Sequence, residues 1–344
     1  MLEPSLARLR EDRYHSPQLE VTIRLNTNES PIPPSQGFLE GLGRRLGALE
    51  LNRYPDREAR DLREALGARH GVGPEMVFVA NGSNEVLQSI LLAYGGPGRH
   101  VWIAQPTYGM YARIAATTRT EVIEGGRRHD GRIDPDGHLD GAELVMICDP
   151  NNPTGRPEDP RLLEVPARHP ERLFVVDRAY AEFEVAEPHP WRGGGNVVEV
   201  RTLSKAFSLA GLRLGYAIAA PEVVEALEAV ALPYHVSALT QGAALEAMAH
   251  AEELTQAVEL VVRERGFLAV ELAKLGCEVE ESATNFLLFS LPGRPARAIW
   301  EGLVARSVLV RDASSWPGVG DALRVTVGLP TENRAFLTAL AEVR

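Results

Sequence analysis

This chain of 344 residues carries its positive charge almost entirely on arginine, with 34 arginines against two lysines, Lys205 and Lys274. A guanidinium stays protonated at any accessible pH, whereas an amine can lose its proton and attack a carbonyl. A lysine kept against that background invites the question of what arginine could not do there. Lys205 lies in Thr202-Leu203-Ser204-Lys205-Ala206-Phe207, between two apolar stretches. Lys274 lies near the polar end of the amphipathic segment Phe267 to Leu275, where a cation faces the negative end of a helix dipole and arginine would do as well. Lys205 reads as chemical and Lys274 as incidental.

Other candidate groups stand at the ends of apolar runs. Asp177 closes Leu173-Phe174-Val175-Val176, and a carboxylate there could hold a cation or a protonated ring nitrogen. Taken alone, a turn-forming aspartate explains it better. Asn151-Asn152-Pro153-Thr154-Gly155 follows Leu144–Cys148 in the same manner, and Ser204 and Lys205 follow Asn196–Leu203. Ligand sites in open parallel sheets lie beyond the carboxyl ends of the strands, so this company raises the standing of Asp177. Asn81-Gly82-Ser83-Asn84-Glu85 joins the run Met76–Ala80 to the apolar-striped segment Val86–Tyr94. Small residues at such a turn let backbone N–H groups approach an anion, although a simple cap by Ser83 or Asn81 explains the turn equally well. Tyr108, just past Val101–Ala104, could stack on a flat cofactor or be an ordinary core tyrosine. Arg213, Arg311 and Arg324 each adjoin an apolar run, where a cation needs an acid or an anionic ligand.

These groups must be positioned by elements. Candidate strands are Met76–Ala80, Val101–Ala104, Glu121–Ile123, Leu144–Cys148, Leu173–Asp177, Asn196–Leu203 and Leu214–Ala219, with helices such as Asp56–His70 and Glu85–Tyr94 between them. That alternation predicts an α/β domain with a mainly parallel sheet. Beyond Gln241 a long helical stretch, Gly242–Leu275, precedes strands near Phe286–Ser290, Val308–Arg311 and Leu323–Val327 and a helix over Glu332–Val343, which predicts a smaller α+β domain. The expected division is an arm over 1–30, a large domain over 31–245 and a small domain over 246–344.

A net charge of −11 argues against a nucleic-acid surface. Met1 to Arg13 lack the apolar core of a secretory leader, and no apolar run reaches the ~20 residues that cross a bilayer. Cys148 and Cys277 stand far apart beside apolar residues, which predicts two buried free thiols in a reducing cytoplasm, and no Cys/His spacing suggests a metal.

Taken together, the motifs resemble the fold-type I aminotransferases (class I/II) that use pyridoxal 5'-phosphate, and within them the histidinol-phosphate aminotransferase group. The resemblance runs from Leu25-Asn26-Thr27-Asn28-Glu29-Ser30-Pro31 through Arg53-Tyr54-Pro55-Asp56, Pro106-Thr107-Tyr108-Gly109-Met110-Tyr111, Asn152-Pro153-Thr154-Gly155, Leu203-Ser204-Lys205-Ala206-Phe207 and Ala210-Gly211-Leu212-Arg213-Leu214-Gly215 to Leu323-Arg324-Val325-Thr326-Val327-Gly328. It implies a seven-stranded, mainly parallel sheet flanked by helices, plus the smaller domain. It implies that Lys205 condenses with the cofactor aldehyde and later moves a proton, that Asp177 pairs with the ring nitrogen, and that Asn152 and Tyr180 hold the ring's phenolic oxygen. Tyr108 would stack on the ring. Gly82, Ser83, Asn84, Thr202, Ser204 and Arg213 would hold the phosphate, joined by Tyr54 from the partner subunit of a homodimer. Arg324 and Arg311, with Asn28 and Tyr14, would receive the anionic substrate: histidinol phosphate, or glutamate formed from 2-oxoglutarate. Arg178 departs from the family pattern, which has an acidic residue there, and is expected to point away from the site; His235 stands where the family usually has asparagine. A threonine-phosphate decarboxylase or a broad aromatic aminotransferase would share these residues. A pyridoxal-phosphate-binding regulator would need an added DNA-binding region, and the segment before Asn26 is too short for one.

Overall fold

The computed structural model describes residues 17–139, 141–185 and 195–344. The apolar runs in the middle of the chain become β2 (Val77–Ala80), β3 (His100–Ala104), β4 (Glu121–Gly125), β5 (Leu144–Cys148), β6 (Leu173–Asp177), β7 (Val197–Thr202) and β8 (Gly215–Ile218), following β1 (Ile23–Leu25). They form a seven-stranded sheet in the order β2-β8-β7-β6-β5-β3-β4. The neighbours from β7 to β4 are parallel, and β8 runs antiparallel to both β2 and β7. The runs read as continuous rather than alternating because both faces are covered. Along β5, Leu144, Met146 and Cys148 pack on one side with α3 (Ser83–Tyr94), α4 (Met110–Thr118) and α6 (Pro221–Val230), whereas Val145 and Ile147 pack on the other with Trp102, Phe174 and Val176. The third core under this sheet joins β2 and β8 to α1 (Gln36–Gly47), α2 (Arg60–His70) and α7 (Ala238–Ala249). The short helix α5 (Val165–Arg168) leads into β6.

The stretch expected as one helix over Gly242–Leu275 is two. It breaks at His250 into α7 and α8 (Glu253–Lys274), with the His250 ring bonded to Glu253 and ion-paired to Glu246 across the break. The two halves serve different sheets: α7 packs on α1 and α2, while α8 packs on β10 (Phe286–Ser290) and α10 (Pro330–Val343). Apolar periodicity continues through the break and so conceals it.

The second sheet has the order β1-β11-β12-β10-β9, built with β9 (Glu278–Val279), β11 (Val308–Asp312) and β12 (Leu323–Thr326); α9 (Ala296–Val304) packs on β11. Its core is centred on Phe286, Phe289, Leu309, Val325 and Phe336. Part of the expected arm is thus a sheet strand: β1 pairs in parallel with β11, Ile23 opposite Val308. This pairing carries Asn26, Thr27 and Asn28 to the gap between the sheets. Among the described residues, no helix is long and apolar enough to cross a membrane.

Candidate active site

The parallel register places Cys148 opposite Asp177 and Asp177 opposite Val200, so β5, β6 and β7 end together and release Asn152, Asp177 and Lys205 at one edge. Asp177 is buried. Its carboxylate accepts from Tyr111 Oη at 3.1 Å and from the Ala179 amide at 3.1 Å. Burial pushes its pKa up to about 6 against the opposing pull of these donors and of Lys205. The Lys205 amine donates to the Thr27 carbonyl at 3.1 Å. Burial, then the charge of Arg324 and to a lesser extent that of Arg213, push its pKa down to about 8 against the attraction of Glu29 and Asp177.

Tyr180 Oη accepts from Asn28 Nδ2 at 3.0 Å and from Asn152 Nδ2 at 3.5 Å, and burial raises its pKa well above the phenol range. Asn152 Oδ1 in turn accepts from Arg324 Nη1 at 2.7 Å, and Arg324 Nη2 donates to the Asn26 carbonyl. Asn28 adopts a left-handed φ of 55°, its amide bonded to Thr326 Oγ1 and its carbonyl to Asn285 Nδ2. Arg324 and Arg311 are cross-strand partners between β12 and β11, and both guanidinium groups lie over Trp316, at 5.2 and 5.4 Å from the ring centre. Like charges placed directly opposite each other disfavour a strand pair.

A second cluster stands at the start of α3. Gly82 has φ 82°, and a Cβ there would meet Arg213 Nη2 at 2.6 Å; a Cβ on Gly215 would meet the Ser83 amide nitrogen at 2.2 Å. Neither position admits a side chain. No side chain caps the first turn of this helix; Glu85 instead accepts from the Asn81 amide. Arg213 Nη1 reaches Ser204 Oγ at 3.5 Å, and Thr202 Oγ1 donates to Ser204 Oγ at 3.0 Å. Backbone amides, hydroxyls and a guanidinium thus converge, the donor set of a phosphate site. Tyr108 donates to Asn84 Oδ1 at 3.2 Å and stands edge-on to Tyr111.

Tyr54 is 79% exposed and stacks on Tyr234. Tyr14 lies outside the described residues. Arg178 does turn away from the site, into buried bridges to Asp149 at 2.7 Å and Glu184 at 2.9 Å. Lys274 is paired with Glu271 on the surface. Cys148 and Cys277 are buried free thiols, and Cys148 Sγ accepts from the Asn152 amide at 3.4 Å. Sequence reasoning missed Tyr111, although its place three residues after Tyr108 was available as a signal. It also missed Trp316, for which no local signal exists.

The family pattern of aminotransferases of class I and II matches residues 20–340. The chain belongs to that family. It is 44% identical to the histidinol-phosphate aminotransferase of Frankia casuarinae over 95% of this chain and 86% of that one. It is also 44% identical to the histidinol-phosphate aminotransferase of Thermobifida fusca, over 95% and 91%. Its fold matches the histidinol-phosphate aminotransferase of Sinorhizobium meliloti in complex with pyridoxal 5'-phosphate (TM-score 0.86, 24% identity, 100% of this chain and 95% of that one). It also matches the L-threonine-O-3-phosphate decarboxylase of Porphyromonas gingivalis (TM-score 0.84, 26% identity, 93% and 98%). As a member of the family, this chain is a pyridoxal-phosphate-dependent transaminase. The site suits that cofactor: a buried carboxylate for a cationic ring nitrogen, an amine with a lowered pKa for an aldehyde, and a side-chain-free cradle beside Arg213 for a phosphate.

Proposed function

We propose that this protein transfers an amino group between histidinol phosphate and 2-oxoglutarate, forming glutamate, in the biosynthesis of histidine. The observation that carries this reading is the meeting of Lys205, Asn152, Tyr180 and Arg324, drawn from both sheets, in one buried cluster beside Asp177. Full-length relatives at 44% identity named for this reaction support the choice of substrate.

Pyridoxal phosphate, when bound, supplies an aldehyde to carry the amino group and a ring that accepts electrons from the substrate's Cα. Lys205 Nζ holds the cofactor and moves the proton at Cα, a task that its lowered pKa suits near neutral pH. Asp177 would keep the proton on the ring nitrogen, Asn152 and Tyr180 would bind the phenolic oxygen, and Tyr108 would stack on the ring. Gly82, Ser83, Asn84, Thr202, Ser204 and Arg213 hold the phosphate. Arg324 and Arg311 orient the anionic end of the substrate, with Asn28 and Tyr14 as further substrate ligands. The exposure of Tyr54 supports a homodimer in which this tyrosine completes the partner's phosphate site. The division into 1–30, 31–245 and 246–344 belongs to the same proposal, with β1 and the whole of α7 as the adjustments that packing suggests.

The purified protein should carry a yellow chromophore that borohydride fixes to the chain, and Lys205→Ala should abolish the covalent adduct. Histidinol phosphate with 2-oxoglutarate should yield glutamate. Release of carbon dioxide from threonine phosphate, without glutamate formation, would replace this reading with the decarboxylase.

A further inference from the structure

His235 sits behind the Asn81–Ser83 turn. Each of its ring nitrogens faces a carbonyl oxygen: Nε2 that of Val79 at 2.9 Å, Nδ1 that of Leu232 at 3.1 Å. A neutral imidazole can donate to either, and the charged ring to both. Val79 belongs to β2, the terminal strand of the large sheet, whose neighbour is β8. The ring also lies nearly parallel to Phe78, at 5.9 Å and 17°. In the other direction, the His235 carbonyl accepts from Asn81 Nδ2 at 2.9 Å, and Asn81 is the first residue of the proposed phosphate turn.

The local backbone is unusual. Leu232-Pro233-Tyr234-His235 is a turn closed by the His235 amide on the Leu232 carbonyl at 3.3 Å, with proline second and a left-handed residue third. That is the pattern of a type II turn, whose third position normally takes glycine or asparagine. Here it is Tyr234, at φ 59°. A bulky residue is rarely held in that region, and such strain persists where surrounding contacts over-determine it. The contacts are visible. The imidazole bonds the same Leu232 carbonyl that closes the turn, and the Tyr234 ring stacks on Tyr54 at 4.5 Å and 17°.

We propose that His235 is a positioning residue for the cofactor phosphate: its ring latches the strained turn to β2, its carbonyl holds Asn81, and the turn presents Tyr234 as the platform for Tyr54. One residue thereby sets both the phosphate turn of its own subunit and the tyrosine offered to the other. The inference rests on the reading of Gly82, Ser83, Arg213 and Tyr54 as phosphate ligands.

The test is titration of pyridoxal phosphate into the full-length protein stripped of cofactor, followed by absorbance and by the circular dichroism of the bound chromophore. His235→Phe keeps an aromatic ring against Phe78 and removes the ring N–H together with both ring nitrogens. Its cofactor affinity should fall about tenfold, the scale of one buried polar group left unpaired, with a smaller fall in turnover at saturating cofactor. Tyr234→Gly relieves the backbone and removes the platform, and should weaken binding to a similar degree even if His235→Phe does not fold. Combined with Tyr54→Ala, Tyr234→Gly should add nothing further. Wild-type affinity in folded Tyr234→Gly, or additive losses in the pair, would overturn the proposal. Arg213→Ala separates the two levels. If it weakens the cofactor while His235→Phe and Tyr234→Gly do not, the phosphate reading survives and the role of His235 falls. If Arg213→Ala binds as tightly as wild type, the phosphate reading itself falls and takes the inference with it.

Discussion

Lys205 and Lys274 are the same side chain in opposite settings. One amine has its pKa pushed down to about 8 by burial and nearby arginines; the other sits on the surface beside Glu271. Lys205→Arg should cost at least about a thousandfold in turnover, since a guanidinium neither condenses with an aldehyde nor shuttles a proton. Lys274→Arg should leave turnover as in wild type and stability within about 1 kcal/mol, because exposed ion pairs contribute little. Equal activity in the two variants would sink the contrast. This part of the site was legible from composition together with place: Lys205 follows a strand end between apolar stretches, where an amine can do what a guanidinium cannot, whereas Lys274 sits at the polar end of a helix. Tyr111 was not legible in that way, because its role depends on a contact with Asp177, 66 residues further along the chain. Its hydroxyl donates to the carboxylate and so favours the charged form. Tyr111→Phe removes that effect, and the Asp177 pKa should rise above its present value of about 6. A carboxyl group with a raised folded pKa costs stability as pH climbs from its unfolded pKa through its folded one. Unfolding of the cofactor-free protein should therefore show stability falling between about pH 4 and 6, with the fall extending to higher pH in Tyr111→Phe. Cofactor affinity at pH 6 should be about three- to tenfold weaker in the variant, converging with wild type as Asp177 becomes ionised in both. Superimposable pH profiles would show that Tyr111 does not act through Asp177.

At the level of elements, the strands of the large sheet were readable because each is a short apolar run closed by a polar residue. Their common carboxyl edge follows from parallel pairing. Strand β1 was not readable: its partner β11 lies some 285 residues away, and its three residues show no periodicity. The break between α7 and α8 was hidden for a related reason, since each helix keeps its apolar stripe and only the sheet that receives it changes. Arg178 belongs to this scale because it ties the segment after β6 to the loop after β5. Its guanidinium is 3% exposed and bridges Asp149 and Glu184, and burial together with Asp149 raises the pKa of Glu184 to about 7 despite the arginine. Arg178→Ala leaves two carboxylates facing each other in a buried space, and should destabilise the protein by about 3–5 kcal/mol in denaturant unfolding at pH 8. The loss should shrink at pH 5, where Glu184 takes up its proton readily. A pH-independent loss would assign the effect to packing alone.

The assembled protein is where Tyr54 must be explained. Leu51, Tyr54, Leu232 and Tyr234 are all exposed, and the Tyr54 ring stacks on that of Tyr234. Among the described residues the Tyr54 hydroxyl makes no hydrogen bond within its own subunit, whereas the half-buried Lys205 amine donates to the Thr27 carbonyl of its own chain. If each phosphate site is completed across a two-fold axis, the two defects can be placed on different chains. Tyr54→Ala and Lys205→Ala should each be impaired as homodimers, the second to near inactivity. When subunits are exchanged by mild denaturation and refolding, a hybrid has one site with both Lys205 and Tyr54 intact and one site lacking both. Equal mixing makes about half the dimers hybrid, and each hybrid has one good site in two, so activity should recover to about a quarter of wild type. If Tyr54 instead served its own subunit, no arrangement of these chains would contain an intact site, and the mixture would show no more than the average of its parents. Activity measured before and after exchange, with subunit mixing followed by native mass spectrometry, decides between the two.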